Sequence, residues 1–167
     1  MKTFMLMGLM SISFCSFSQC DIKDRINPDG SIFYYIEPEN FYHTSSNSLK
    51  GGIVTDKENY FLELMPVPFP AKPAGHKLKD GLEVILCDGS TFKIEHYDTR
   101  YVENNTVLEM LFLIDNKALA QFMTIEVAQV KINMMGDEGT RTYAFKLHKS
   151  ALKEQLDCFS KEKAPKK

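Results

Sequence analysis

Alternation of apolar and polar positions, rather than helical spacing, runs through most of this chain. Ser31 to Ile36 (S-I-F-Y-Y-I) is β-branched and aromatic and predicts a strand that ends before Pro38. The polar, Ser-rich stretch Tyr42 to Lys50 predicts a loop. Gly52 to Thr55 and Tyr60 to Met65 read as a hairpin around Asp56-Lys57-Glu58-Asn59, with Tyr60, Leu62 and Leu64 sharing a face. Pro66, Pro68, Pro70 and Pro73 follow, and their missing amide donors predict an extended loop over 66–75. Gly81 to Cys87 and Ser90 to Tyr97 flank Asp88-Gly89, which predicts a tight type I′ hairpin turn. In the second of these strands Phe92, Ile94 and His96 alternate with Thr91, Lys93, Glu95 and Tyr97, so one face is apolar and one is wet.

Thr106 to Ile114 carries one charge, Glu109, and predicts a central strand covered on both faces, by a facing sheet and by the terminal helix, with Leu111 or Phe112, whichever points to the shared interior, in the core. Asp115 or Asn116 caps an expected short helix with Leu119, Phe122 and Met123 inward. Ile125 to Met134 returns to strand with Ala128, Val130, Ile132 and Met134 on one face. Past a turn at Gly136-Asp137-Glu138-Gly139, Arg141 to His148 pairs back with Tyr143, Phe145 and Leu147 inside. Ser150 caps a terminal helix whose Leu152, Leu156 and Phe159 form an apolar stripe at i, i+4 and i+7, with Asp157 and Lys161 as an i, i+4 pair. Roughly eight mostly sequential strands and two helices predict an α+β fold, mostly antiparallel β: a sandwich or strongly curled sheet with the C-terminal helix packed on it. An open barrel is the alternative.

The first twenty residues break this pattern. Lys2 is the only charge before Asp21, and Thr3 to Phe17 are apolar or small. A cationic start, one apolar run and the exit Ser16-Phe17-Ser18-Gln19 describe a signal peptide cut after Ser18. The run falls short of the about 20 apolar residues of a membrane span. The expected organisation is therefore a signal peptide over 1–18, a single β-rich domain over 19–160 and a flexible basic tail over 161–167, placed in the periplasm or secreted. A lipoprotein anchored through an acylated Cys20 is the minority alternative, because Gln19 stands where such a site has a small residue. It is the only route by which this reading brings a membrane in.

Cleavage would leave Cys20, Cys87 and Cys158. If one disulfide forms, Cys87 with Cys158 is the expected pair: Cys87 ends a strand beside a turn, and Cys158 lies on a helix that must pack on the sheet. The spacings are far from CxxC, so neither zinc nor a redox dithiol is signalled.

The 167 residues are 44% hydrophobic and 25% charged, as in folded globular proteins. The net charge of −2 provides no field for nucleic acid, and Lys161, Lys163, Lys166 and Lys167 read as a solvated tail. His43, His76, His96 and His148 lack metal-site spacing, and Gly51-Gly52 opens a strand rather than a helix, so no metal, phosphate loop or cofactor is expected. The residues that could form a hydrolytic set are His96, Asp98 and Ser90. Glu63, Glu83 and Glu109 interrupt apolar strands and read as markers of solvated faces, with buried, functional carboxylates as the alternative. Tyr34, Tyr35, Tyr42, Tyr97 and Tyr101 are the candidate binding aromatics, although the absence of Trp departs from a typical carbohydrate platform.

The expectation is a small exported domain without catalysis that binds a protein, a glycan or an envelope component. The alternatives are an exported hydrolase whose site assembles only in three dimensions, and a carrier holding an apolar ligand in a cavity of about 300 Å³ or more.

Overall fold

The computed structural model describes residues 20–27, 29–68, 78–102, 107–134 and 139–162. The expected signal peptide, residues 69–75 of the proline-rich segment, His76, Thr106, turn residues 136–138 and the tail from 163 lie outside them. The elements are β1 (Lys23–Ile26), β2 (Ile32–Tyr35), β3 (Glu39–His43), β4 (Ser48–Thr55), β5 (Tyr60–Val67), β6 (Leu78–Leu86), β7 (Thr91–Val102), β8 (Val107–Ile114), α1 (Asn116–Thr124), β9 (Val127–Met134), β10 (Thr140–Ala144) and α2 (Ala151–Lys161).

All strand pairs are antiparallel, in the order β1-β2-β4-β5-β8-β7-β6-β9-β10, with β3 also on β4. The expected α+β class is what the chain adopts: a strongly curled antiparallel sheet with α2 packed on it. The curl comes from β7, which is long enough to serve two partners. Thr91 to Ile94 pair with β6, and Glu95 to Val102 pair with β8. Curling brings the far edges together. The backbone N–H groups of Lys146 and Leu147 donate to the Phe41 carbonyl at 2.9 and 3.1 Å, and Phe41 stacks on Phe145 with ring centroids 4.1 Å apart. No ladder forms there among the described strands, so the sheet stays open.

Inside the curl lie Phe41, Leu49, Ile53, Leu62, Leu64, Leu82, Met110, Phe112, Val130 and Ile132, sealed by Phe122 of α1 and by Leu152, Leu156 and Phe159 of α2. The expected helical stripe is thus buried. Opposed residues of neighbouring strands share a face, so the register Val54↔Phe61↔Leu113 and Glu63↔Leu111 defines a second, outer face. There Phe33 from β2 packs with Val54, Phe61 and Leu111. The central strand β8 is therefore covered on both sides, as its sequence predicts, but the β1–β2 hairpin covers its outer face; α2 packs on β4 and α1.

Helix α2 has a second task. On one edge of β4, β3 pairs with Gly51 and residues before it, whereas β2 pairs with Val54 and Thr55. The gap is closed by Gln155 of α2, which is buried, accepts from the Ile53 N–H at 2.7 Å and donates to the Glu37 carbonyl at 3.4 Å. Glycine at position 52 makes room, because a Cβ there would sit 2.9 Å from Gln155 Oε1.

Several expectations are corrected. Tyr42 to Lys50 is not one loop; it holds the end of β3 and the start of β4, and only 44–47 turn, closed by Thr44 and Asn47. Pro66 sits in β5 opposite Leu49, beyond the residues that β8 pairs with, where its missing N–H costs no bond to β8. The Asp88-Gly89 hairpin exists, but only Gly89 has positive φ, +85°. Gly89 N–H donates to the Leu86 carbonyl and Leu86 N–H to the Ser90 carbonyl, a three-residue loop rather than type I′. On α1, Ala118 and Phe122 are buried while Met123 is exposed, and beyond β10 Leu147 is exposed. Asp115 caps α1 through the Ala118 N–H, but the Ser150 side chain makes no capping bond. Lys161 belongs to the last turn of α2, bonded to Asp157, rather than to a tail.

The cysteine pairing also differs. Cys20 bridges Cys158 with Cα atoms 5.7 Å apart, and Cys87 is free and exposed. The physical reason is placement. The Cys87 amide is held by the Glu126 carbonyl beside the exposed β6–β7 turn, whereas the lead into β1 passes α2.

Candidate functional site at the tip of the first hairpin

The site begins with a one-residue irregularity. On β7, His96 faces Phe112 and Asp98 faces Leu111, so Tyr97 is an extra residue, a β-bulge. A shift of one residue exchanges the two faces of a strand. Before the bulge, Ile94 and His96 point to the inner face; after it, Asp98 and Arg100 point outward, and Thr99 takes the inner position. Simple alternation would have sent Asp98 and Arg100 inward after His96.

Outward-pointing Arg100 meets a charge network. Glu63 of β5 is 1% exposed and Glu109 of β8 is 3% exposed. Arg25 of β1 bonds both, Nη2 to Glu63 Oε1 and Nη1 to Glu109 Oε1, each at 2.8 Å. Arg100 Nε donates to Glu109 Oε2, and Arg100 Nη1 donates to Asn27 Oδ1 at 2.8 Å. Two arginines thus balance two buried carboxylates and tie β1, β5, β7 and β8 together. Burial, with the neighbouring Arg25 charge, holds the Arg100 pKa below its ordinary value. Arg25 also lies over the rings of Phe33 and Tyr35, and its Nε is buried without a hydrogen-bond partner. Glu63 and Glu109 therefore do not mark solvated faces; only Glu83, half-exposed and bonded to Lys131, is near that reading.

The hairpin tip is ordered by its own side chains. Asp29 Oδ1 accepts from both the backbone N–H and the hydroxyl of Ser31, which lowers the Asp29 pKa, and Asn27 Nδ2 donates to Ser31 Oγ. Asp88 and Ser90 repeat this arrangement at the β6–β7 turn. Between the tip and the bulged strand runs a cleft of about 610 Å³, lined by Asn27, Asp29, Ser31, Phe33, Tyr97, Asp98, Thr99 and Arg100. Tyr97 is 56% exposed, and its ring centroid lies 4.7 Å from that of Phe61, so the outer-face core holds it in place.

The expected hydrolytic set does not come together. His96 Nε2 contacts Thr99 Oγ1 at 2.5 Å, with its ring edge-on to Phe112 at 5.9 Å. Partial burial lowers its pKa, opposed by the backbone and charge of Asp98. Asp98 lies on the other face, and Ser90 is six strand residues away, about 20 Å, bonded to Asp88.

The aromatics divide as well. Tyr34, Tyr42 and Tyr101 pack against the inner core, Tyr34 beneath Lys57 and Tyr42 beside Tyr143 and Lys146. Tyr35 packs with the outer cluster, Tyr97 lines the cleft at the hairpin tip, and Tyr42 also lines a smaller cleft between β3 and β10. Sequence reasoning named Tyr97 and Asp98 but missed Asn27, Asp29, Ser31 and Arg100. The recurring Asp-Gly-Ser at 29–31 and 88–90 was the available signal for an ordered tip. Among the described residues no group of three or more His, Cys, Asp or Glu is placed to hold a metal, and no helix is long and apolar enough to cross a membrane.

What these features define is an open, curled antiparallel sheet with a polar, aromatic-lipped cleft on its outer face. Comparison with protein-family models, curated proteins and solved structures finds no match.

Proposed function

We propose that the protein is a small exported binding domain that works without catalysis, and that the cleft at the first hairpin tip takes a glycan or a similarly polar envelope component. One observation carries this reading: Tyr97 offers an exposed ring face, held from behind by Phe61, at the lip of a cleft whose other walls are hydrogen-bonding side chains. A sugar ring has an apolar C–H face and a rim of hydroxyls, which suits stacking on tyrosine with bonds to Asn27, Asp29, Ser31 and Asp98. The volume of about 610 Å³ is within the range of small-ligand sites. The interior offers less to a carrier of apolar ligands, since Phe41, Phe112, Phe122 and Phe145 fill it.

Export is supported by the sequence pattern of residues 1–18 and by the Cys20–Cys158 bridge, since disulfides persist in oxidising compartments. The bridge also uses the Cys20 sulfur, which an acylated anchor would need for its thioether.

Native mass spectrometry of the protein isolated from its own host tests the reading. The expected result is a saccharide mass on the wild type that is absent from Tyr97→Ala. A lipid mass retained by Tyr97→Ala would replace this reading with the carrier.

A further inference from the structure

The wall of the cleft is attached to the rest of the protein in an unusual way. The β1–β2 hairpin meets the sheet ladder through only two residue pairs, Tyr34↔Thr55 and Tyr35↔Val54, at one end of β4. Beyond them it lies across the outer face, held by Phe33 against Phe61, by Arg25 on Glu63 and Glu109, and by Asn27 on Arg100. Its leading end is held covalently, because Cys20 lies three residues before β1 and is bonded to Cys158 on α2. Helix α2 is itself anchored in the core by Leu152, Leu156 and Phe159 and on β4 by Gln155. The hairpin is thus a strap fixed at its lead by a disulfide, hinged at the β2–β4 pairs and clasped along its length by two arginines.

We propose that the Cys20–Cys158 disulfide is a redox latch on this strap: oxidation closes the strap and completes the cleft, and reduction frees it while the curled sheet stays folded. This rests on the cleft being the binding site and adds how that site is controlled. A two-stranded hairpin with little sheet pairing is marginal by itself, so a tether that keeps it over its docking face acts as an effective concentration. The remaining contacts include buried charges, whose desolvation offsets much of their attraction. In chemical terms, the two thiols become one disulfide, and an external disulfide oxidant takes up the two electrons and two protons and leaves as a dithiol. The binding wall would then be set only where such an oxidant is present, coupling site formation to arrival in an oxidising compartment.

Hydrogen–deuterium exchange on the mature protein tests this without any ligand. It uses Cys87→Ser, so that the free thiol cannot exchange with the bridge, in oxidised form and after reduction with a phosphine, together with Cys20→Ser in the same background. The expected result is exchange faster by roughly tenfold or more at amides of residues 21–35 on reduction, with amides of β5 and β8 unchanged. Unchanged exchange in the hairpin would overturn the latch, because the clasp would then suffice. Acceleration throughout would also overturn it, because the bridge would then stabilise the whole fold. If Cys20→Ser does not fold, reduction of the already folded protein gives the same readout. The binding reading fails separately, through an unaltered ligand mass on Tyr97→Ala.

Discussion

Glu109 shows most clearly how much one residue decides here. Its two carboxylate oxygens are divided between Arg25 and Arg100, and it is almost wholly buried. Removing one partner of a buried ion network leaves uncompensated charge and costs about 3–5 kcal/mol. Glu109→Gln keeps the shape and removes the charge, so urea unfolding should show a loss of that order, whereas Glu83→Gln, whose pair with Lys131 is part-exposed, should lose under about 1 kcal/mol. None of this was legible in the sequence. A lone glutamate in an apolar strand looks the same whether it faces water or two arginines, and Arg25 and Arg100 lie 84 and 9 residues away from Glu109. Tyr97 was legible as a candidate, but its selection from five tyrosines depends on the bulge, which is a property of pairing and leaves no mark in the residue types.

At the scale of elements, local chemistry predicted most boundaries and long-range pairing decided the rest. The β4–β5 and β6–β7 hairpins, the two-sided burial of β8 and the stripe of α2 followed from period and turn residues. β1 and β3 were missed for a common reason: each is short and takes its alternation from a neighbour, β2 or β4, rather than from its own apolar content. The gap between β2 and β3 on the edge of β4 had no sequence signal, and its closure by Gln155 makes a sharp prediction. Gln155→Ala removes the acceptor of the Ile53 N–H inside the protein. An unsatisfied buried donor costs about 1–3 kcal/mol. The melting temperature should fall accordingly, and the Ile53 amide should lose protection while amides of β8 keep theirs.

For the whole molecule, the curl of the sheet and the pinned hairpin together create two faces with different work. The inner face supplies stability. Phe112 lies fully buried in it, and Phe112→Ala should cost about 3–5 kcal/mol. Lys93→Ala on the exposed side of β7 should leave the melting temperature near that of wild type. The outer face supplies the cleft, and that the first hairpin would fold over it could not be read from the chain, because the hairpin's partners are spread over β5, β7 and β8. The proposed role of the molecule stands on ligand binding in this cleft. Backbone amide chemical-shift mapping of the oxidised protein, residues 19–167, during titration with soluble envelope glycan fragments is the decisive experiment. The expected result is shifts at residues 27, 29–33 and 97–100 that vanish in Tyr97→Ala. Saturable shifts confined to the clefts between α1 and α2 or between β3 and β10, unaffected by Tyr97→Ala, would contradict it.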